Sequence, residues 1–498
     1  MLRTAQAFLE SLRDGREVYY RGQRVEDVTA HPVLAYPARH NARIFQMALE
    51  GPLAGALCWQ APQWQEPACR LYQPPKSAQD LLQRHELIAA TTRHCRGVFN
   101  ICKVIGSDAI FALLSVTARH QEAAGAGADA HRRALAYWEH AARRDLALAV
   151  AQTDVKGNRS LRPHQQPDPD HYVRVVRVDS EGIVVRGAKA HITQAPVVDE
   201  LLVIPSRAMQ EEDADWAVAF AVPVNAPGLR LICRPMLEVE GARHPLEGPR
   251  VLAACLVEAL VVFDDVRVPW ERVFVLRHPR AATELATTFA LWHRFSAISY
   301  RAAMAELLIG LAAEVARANG VEGKSHIRRQ LVDLILYCEL QRMAAHQAAS
   351  RARVDPLTGL ALPDPLATNL GKLYSNAHYL QAVQALVDCA GGLAVTAPSG
   401  HDYDSPALRP YIDKYLAGAD ADGGRRFRLF LAIRELVGLL GGLESVTMVH
   451  AEGSVEASVI EILRSYDLGP ALEQVRELVG PPAAPADGFQ PPTARSRS

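Results

Sequence analysis

The chain has 498 residues, of which 49% are hydrophobic and 22% charged, with a formal net charge of −1; this excludes a bulk electrostatic attraction to nucleic acid or to an anionic membrane. Its length exceeds what one growing hydrophobic core supports, so two or three domains or layers are expected. Eight cysteines lie far apart on largely apolar runs with no CxxC, which suits buried reduced thiols rather than a disulfide framework. The opening MLRTAQAFLESLRDGREVYY lacks a signal-peptide pattern, and no uninterrupted apolar run reaches membrane-spanning length, so a soluble cytoplasmic protein is expected.

Residues 1–145 read as an N-terminal α-helical domain. AQAFLESLRDG places Ala7, Phe8 and Leu12 on one face before Gly15 stops the helix, and RGQRVEDVTAHP reads as a small hairpin and turn. Helix is predicted again in AQDLLQRHELIAATTRHC, in DAIFALLSVTARHQEAAG and in HRRALAYWEHAARRDLALAVAQ, with the Gly-rich AGAGADA linking the last two. The whole first section is expected to be all-α.

Residues 146–278 read as a central β-domain, in which HYVRVV, GIVVRGAKAHIT and DELLVIPS are β-branched runs with the spacing of antiparallel strands. In DWAVAFAVPV both alternating faces are apolar, as in a strand covered on both sides. From 279 to 478 long periodic segments predict a helical bundle, and the Pro-rich tail 479–498 is expected to be disordered.

The β-domain opens with AQTDVKGNRS, a loop that brings a lysine, a glycine, an asparagine and an arginine together within four residues. A cation, unhindered backbone and side-chain donors suit a phosphate or a polar ring edge.

The blocks SLRDGREVYYRGQRVEDVTAHP, TDVKGNRS, GIVVRGAKAHIT, FDDVRVPWERVF, AGGLAVTAPS and HAEGSVEA, in this order, resemble the family of 4-hydroxyphenylacetate 3-monooxygenase and 4-hydroxybutyryl-CoA dehydratase. The resemblance runs from about Arg3 to Leu468. It implies an α+β, acyl-CoA dehydrogenase-like fold: N-terminal helical domain, central antiparallel β-domain, C-terminal helical bundle. It also implies a homotetramer and bound FAD. The residues it places around the flavin are Gln152, Thr153, Lys156, Gly157, Asn158 and Arg159 of the loop, Thr193, and Gly453 with Ser454.

The two branches of the family differ in what they demand. The dehydratases hold an iron-sulfur cluster with three cysteines and one histidine. Here His293 stands at the histidine position, but Asn100, Val104 and Tyr300 stand at the cysteine positions, with Cys95 and Cys102 nearby and off register. None of these replaces a thiolate, so no metal site is expected. The monooxygenases hold their phenol with an arginine, a tyrosine and a histidine, whose places are taken by Ile105, Ala109 and Val150. A substrate other than 4-hydroxyphenylacetate follows.

Catalytic candidates come from the remaining polar residues. His293, Tyr300 and Arg301 share one predicted helix, with His293 and Tyr300 two turns apart on one face, so an imidazole and a phenol are available for proton handling. A core histidine bonded to a backbone carbonyl is the other reading of His293. Glu258, in an apolar strand and at the position of a dehydratase acid, is expected to have a raised pKa or to form an interface salt bridge. The resemblance thus implies a monooxygenase that takes reduced FAD (FADH2) from a separate flavin reductase and uses molecular oxygen to hydroxylate an electron-rich small molecule. A flavin-dependent acyl-CoA dehydratase or isomerase, and a non-catalytic protein of the same fold, are the alternatives.

Overall fold

Thr4 opens α1 (Ala5–Ser11) by accepting a hydrogen bond from the Ala7 amide, and Phe8 within it is fully buried, stacked on Phe45 at 4.5 Å. The computed structural model describes residues 2–125, 129–236, 255–437 and 448–480; the tail predicted to be disordered, beyond Gly480, and the middle of the AGAGADA linker lie outside them. The expected hairpin forms from β1 (Glu17–Tyr20) and β2 (Gln23–Val25), followed by α2 (Ala35–Leu49), α3 (Ala78–His94), α4 (Ile101–Arg119) and α5 (Ala130–Arg143). Ser77 and Asp129 cap α3 and α5 with side-chain oxygens that accept from the Asp80 and Arg132 amides.

Two expectations for this section need correcting. It is not all-α, because β1 lies parallel to a strand of the central sheet, with Val18 opposite Leu231. The helix predicted through Gln152 also stops early: Asp145 takes a φ of +51°, ending the helical run, and its carboxylate binds the buried Lys103 ammonium. The following LAVA forms β3 (Leu148–Ala151).

The remaining strands of the two larger sheets are β4 (Arg174–Asp179), β5 (Gly182–Thr193), β6 (Glu200–Val203), β7 (Val218–Pro223), β8 (Leu229–Cys233), β9 (Glu258–Pro269) and β10 (Val273–Leu276). They make a six-stranded sheet of order β2-β1-β8-β9-β5-β4 and a four-stranded sheet of order β10-β7-β6-β3. Pairing is antiparallel, as predicted, except for β1 with β8 and β3 with β6. Val218 to Val222 of β7 are all buried, as the two-faced apolar pattern requires.

The bundle comprises α6 (Pro279–Ala318), α7 (Ser325–Ser350) and α8 (Pro365–Ala390), then α9 (Gly423–Val437), α10 (Val455–Ser465) and α11 (Gly469–Val479). Its central member is α6, which packs against α3, α4, α7 and α8 and carries the fully buried Trp292 and Arg301. Although no uninterrupted apolar run stands out in the sequence, α4 and α6 are long and apolar enough to cross a membrane. Both are core helices, with 89% and 72% of their apolar windows buried inside the protein. The α+β layout of helical section, sheets and bundle is the one implied by the resemblance.

Candidate functional site

A cavity of about 580 Å³ lies between α4, β3, the ends of β5 and β9, α6 and the segment Met448–Ser454, within the size range of small-molecule sites. One wall is the loop after β3. Its base is fixed by Lys189 of β5, which donates to Asp154 at 2.7 Å and to the carbonyls of Gln152 and Ile204 at 2.8 and 3.0 Å. The Tyr172 hydroxyl donates to the Lys156 carbonyl at 2.7 Å. Gly157 takes a φ of +48°, and a Cβ there would lie 2.5 Å from Gln166 Oε1 and 2.6 Å from His171 Nε2, so a side chain at this left-handed position would have to displace both.

Gln152, Thr153, Lys156 and Arg159 line the cavity. Lys156 and Arg159 make no ion pair among the described residues, leaving two cationic groups at the wall; burial lowers the Lys156 pKa, with Asp154 opposing. Gly157 and Asn158 are not part of the lining. Asn158 Oδ1 accepts instead from the Ser160 amide and hydroxyl at 3.1 and 2.7 Å, so these two residues shape the loop.

Thr193 ends β5 directly opposite Glu258 on β9, and both face the cavity. Burial raises the Glu258 pKa, as expected for an acid in this strand, while Arg234 opposes the rise and binds the carboxylate within the same chain. His191 also lines the cavity. It sits at a break in the β5–β9 register, with a φ of +39°, and regular strand alternation in the sequence does not reveal it.

The opposite wall is α6. Tyr300 stacks on Phe99 with centroids 4.3 Å apart and 9° between planes. Its hydroxyl donates to Glu452 Oε1 at 2.9 Å and not to His293, because a buried phenol goes to the nearest strong acceptor. Arg301, fully buried behind it, donates to Glu452 Oε2 at 2.5 Å and to Asn376 and Ser375 at 2.6 and 3.1 Å. Burial raises the Tyr300 pKa, and the Glu452 carboxylate adds to the effect.

Glu452 takes a φ of +59°, and the surrounding chain is held on all sides. Arg294 donates to the Glu452 carbonyl at 3.0 Å, Lys372 to the Gly453 carbonyl at 2.7 Å and Asn376 to the Val449 carbonyl at 2.6 Å. Burial brings Lys372 down to about 8. Ser454 lines the cavity with Gly453, and its hydroxyl caps α10 by accepting from the Ala457 amide at 3.2 Å. Glu452 stands inside the HAEGSVEA block, one residue before the glycine that sequence reasoning picked out.

His293 stacks on Phe289 with centroids 5.4 Å apart, and its Nδ1 lies 4.0 Å from Asp108 Oδ2. Both atoms are buried without a hydrogen-bond partner, so His293 is not a core histidine satisfied by a carbonyl at Nδ1. Burial pushes His293 down to about 4; the nearby Glu452 charge works against this, and the cations of Arg301, Arg294 and Lys372 work with it. Burial pushes Asp108 up to about 6, although Arg84 at 2.6 Å and Ser296 at 3.0 Å donate to its other oxygen. The arrangement offers a neutral imidazole with a free nitrogen, backed by a carboxyl group that titrates close to neutrality.

The positions that distinguish the two branches are also defined. Asn100 donates to the His40 carbonyl at 2.7 Å, Val104 is fully buried, and neither lines the cavity. Cys95 is buried just past the end of α3, and the Cys102 thiol donates to Asn100 Oδ1 at 3.2 Å; no cysteine is among the residues described around the cavity. Ile105 and Val150 line it as apolar surface, whereas Ala109 is buried within α4.

Known proteins share this framework. The oxygenase component of 4-hydroxyphenylacetate 3-monooxygenase from Thermus thermophilus is 30% identical over 433 residues, covering 86% of this chain and 87% of its own. A 4-hydroxybutyryl-CoA dehydratase/vinylacetyl-CoA-Δ-isomerase from Clostridium aminobutyricum is 29% identical over 504 residues, covering 96% and 100%. A crystal structure of a 4-hydroxyphenylacetate 3-monooxygenase oxygenase component complexed with FAD and 4-hydroxyphenylacetate superposes with a TM-score of 0.87 at 27% identity, covering 96% of this chain and 98% of that one. Residues 4–275, which carry the cationic loop, Thr193 and Glu258, match the N-terminal region of 4-hydroxyphenylacetate 3-hydroxylase, and residues 282–480, which carry His293, Tyr300 and Glu452, match its C-terminal region. Both walls of the cavity therefore fall within one family, and the chain belongs to the 4-hydroxyphenylacetate 3-hydroxylase family.

Proposed function

We propose that the protein is the FADH2-using oxygenase component of a two-component monooxygenase that hydroxylates a phenolic or related electron-rich small molecule. The observation that carries this reading is the buried, unpartnered Nδ1 of His293 facing Asp108 in a cavity lined by a cationic loop and, among the described residues, by no thiol. The cationic loop fits FAD: Arg159 and Lys156 suit its pyrophosphate or a carbonyl edge of the ring, and the Thr193 hydroxyl suits a ring heteroatom. Reduced FAD, when bound, activates molecular oxygen for insertion into an electron-rich ring.

The chain's own residues do the rest. Ile105, Val150, Phe99 and Phe289 give the substrate a dry apolar seat. With its proton on Nδ1 towards Asp108, His293 is neutral at physiological pH and accepts the proton of a substrate hydroxyl at Nε2. A pKa of about 4 makes it a weak base by itself; the Asp108 carboxylate, with Oδ2 4.0 Å from Nδ1, stabilises the imidazolium that forms. Tyr300 and Arg301 hold Glu452 at the cavity wall. With Ile105, Ala109 and Val150 at the clamp positions, the substrate is one other than 4-hydroxyphenylacetate.

A cluster-dependent dehydratase needs soft thiolates at fixed positions, and Asn100, Val104 and Tyr300 supply none. The exposed apolar stripe of Val332, Leu336, Leu340 and Met343 on α7 suits a subunit interface, in line with a homotetramer, and the reduced flavin comes from a separate reductase.

The test is anaerobic titration with reduced FAD, then admission of oxygen in the presence of a panel of substituted phenols, measuring hydroxylated product per oxygen consumed. Tight reduced-FAD binding and coupled product are expected. Absence of flavin affinity overturns the reading, and so does stoichiometric iron with acid-labile sulfide in anaerobically purified protein.

A further inference from the structure

A second cluster of potential ligands lies away from the cavity, at the seam of α3 and α7. His85 and Glu86 on α3 and His346 on α7 bring one ligand atom each to within 4.8 Å of one another. The same Glu86 oxygen is 3.8 Å from His85 Nε2 and 3.8 Å from His346 Nε2, and the two rings meet nearly edge to face, 5.4 Å apart at 80°.

The protonation state of His85 follows from its other nitrogen. Ser299 on α6 spends its hydroxyl proton on the Phe295 carbonyl at 2.9 Å, so its oxygen is left to accept from His85 Nδ1, also at 2.9 Å. The proton of His85 therefore resides on Nδ1, and Nε2 presents a lone pair towards Glu86. A lone pair facing a carboxylate oxygen is an unfavourable acceptor pair, which a cation between them relieves. Bonding the outer nitrogen of a ligating histidine to a fixed partner is also how metal sites set the tautomer.

The other group with the same residue types lacks this arrangement. In His120, Glu122 and His278, the His278 Nδ1 accepts from the Ala281 amide at 3.1 Å, which puts its proton on Nε2 and directs it to Glu122 at 3.2 Å. His120 Nε2 is 2.8 Å from Glu284. That group is satisfied as it stands.

We propose that His85, Glu86 and His346 form a binding site for a divalent transition-metal cation of the zinc class, clamping α3 to α7. Two imidazole nitrogens and one carboxylate oxygen match zinc and exclude magnesium or calcium, which prefer all-oxygen shells. At zinc-ligand lengths of roughly 2.0–2.2 Å, tetrahedral ligand atoms stand about 3.4 Å apart, a little closer than they are here. His346 and Glu86 are 53% and 58% exposed, so their side chains are free to close that difference, and water completes the fourth position. The nearby cations Arg93 and Arg342 are both paired with Glu306, which limits their repulsion.

The experiment uses the full-length protein, stripped with EDTA and titrated with Zn²⁺ against a chromophoric chelator, with Co²⁺ as a spectroscopic substitute. One equivalent per chain is expected, with the intense visible absorption of four-coordinate cobalt. His346→Ala and Glu86→Gln, both at exposed positions, should abolish the equivalent, and Ser299→Ala should weaken it by about 10- to 100-fold, the usual cost of losing an outer-shell partner. His120→Ala should bind as the wild type does. The proposal is overturned if the wild type takes up no zinc, or if His346→Ala retains the full equivalent.

Discussion

His293 and its neighbours carry the chemistry of the cavity, and each makes a separable contribution. Because the residues assigned to flavin lie on the β3 loop, β5 and the segment before α10, His293→Ala should still bind reduced FAD. Oxygen consumption should continue, while hydroxylated product falls by about 10² to 10⁴, the range for losing a proton-transfer group. Coupling equal to the wild type would reduce His293 to a packing residue and make Glu258 the next candidate. Asp108→Asn should act in the same direction and more weakly, because it removes the counter-charge and leaves the imidazole in place. On the opposite wall, Arg159→Ala removes one charge-assisted contact and should weaken reduced-FAD binding by about 1.5 to 3 kcal/mol; unchanged affinity in a titration would remove Arg159 from the site. How far these residues were legible follows from their spacing. The two-turn interval of His293 and Tyr300 is a local pattern, and both do line the cavity. Glu452 is bound by Tyr300 and Arg301 across 152 and 151 positions, and no local periodicity records such a pairing. Asp108 was hidden for a related reason: in an apolar helix only its burial and its position opposite His293 reveal a function.

At the scale of elements, the packing of α4 on β3 connects the core to the cavity. Gly106 in α4 faces Leu148 in β3 so closely that an added Cβ would lie 2.4 Å from the Leu148 Cβ and 2.9 Å from its Cδ1. Gly106→Ala must therefore push Leu148, itself a cavity-lining residue, and overpacking of this kind costs about 1 to 3 kcal/mol. Denaturant unfolding should show a lowered midpoint, and an unchanged midpoint would mean that the contact relaxes freely. Long periodic segments such as α7 and α8 were legible because their pattern outlasts local ambiguity. The LALAVA stretch was not, since short alanine-rich apolar runs suit either helix or strand, and the decision came from the Asp145 turn and from pairing with β6. The helix α2 went unread: its polar His40 and Asn41 are buried among apolar neighbours, where they bond the Phe99 and Val197 carbonyls, and this blurs the amphipathic stripe.

For the whole molecule, buried ionisable groups set how stability depends on pH. Burial pushes His40, His85 and His293 each down to about 4 from an ordinary value of 6.5. A histidine depressed on folding contributes stability that is present above pH 6.5 and is lost as pH falls towards 4, because the unfolded chain binds a proton that the native state refuses. Asp108, pushed up to about 6 by burial, has the opposite sign: its contribution is present below about 3.8 and is lost as pH rises through 6. Glu200 joins the histidines at lower pH. Burial alone would raise it, but His140 and Arg272 hold it near 2, so its contribution is lost only as pH falls below about 4.5. These three histidines outweigh Asp108, and unfolding near pH 5 should take up about two protons from these four groups; His31, His131 and His191, also lowered by burial, add to the uptake and Glu258, raised by burial, opposes it, leaving a net loss of stability on acidification from about 6.5 to 4. Calorimetric unfolding in EDTA, repeated at pH 5 in buffers of different ionisation enthalpy, reads that uptake directly. Net proton release at pH 5, or a midpoint that does not fall between pH 7 and 5, would overturn this balance of buried neutral histidines.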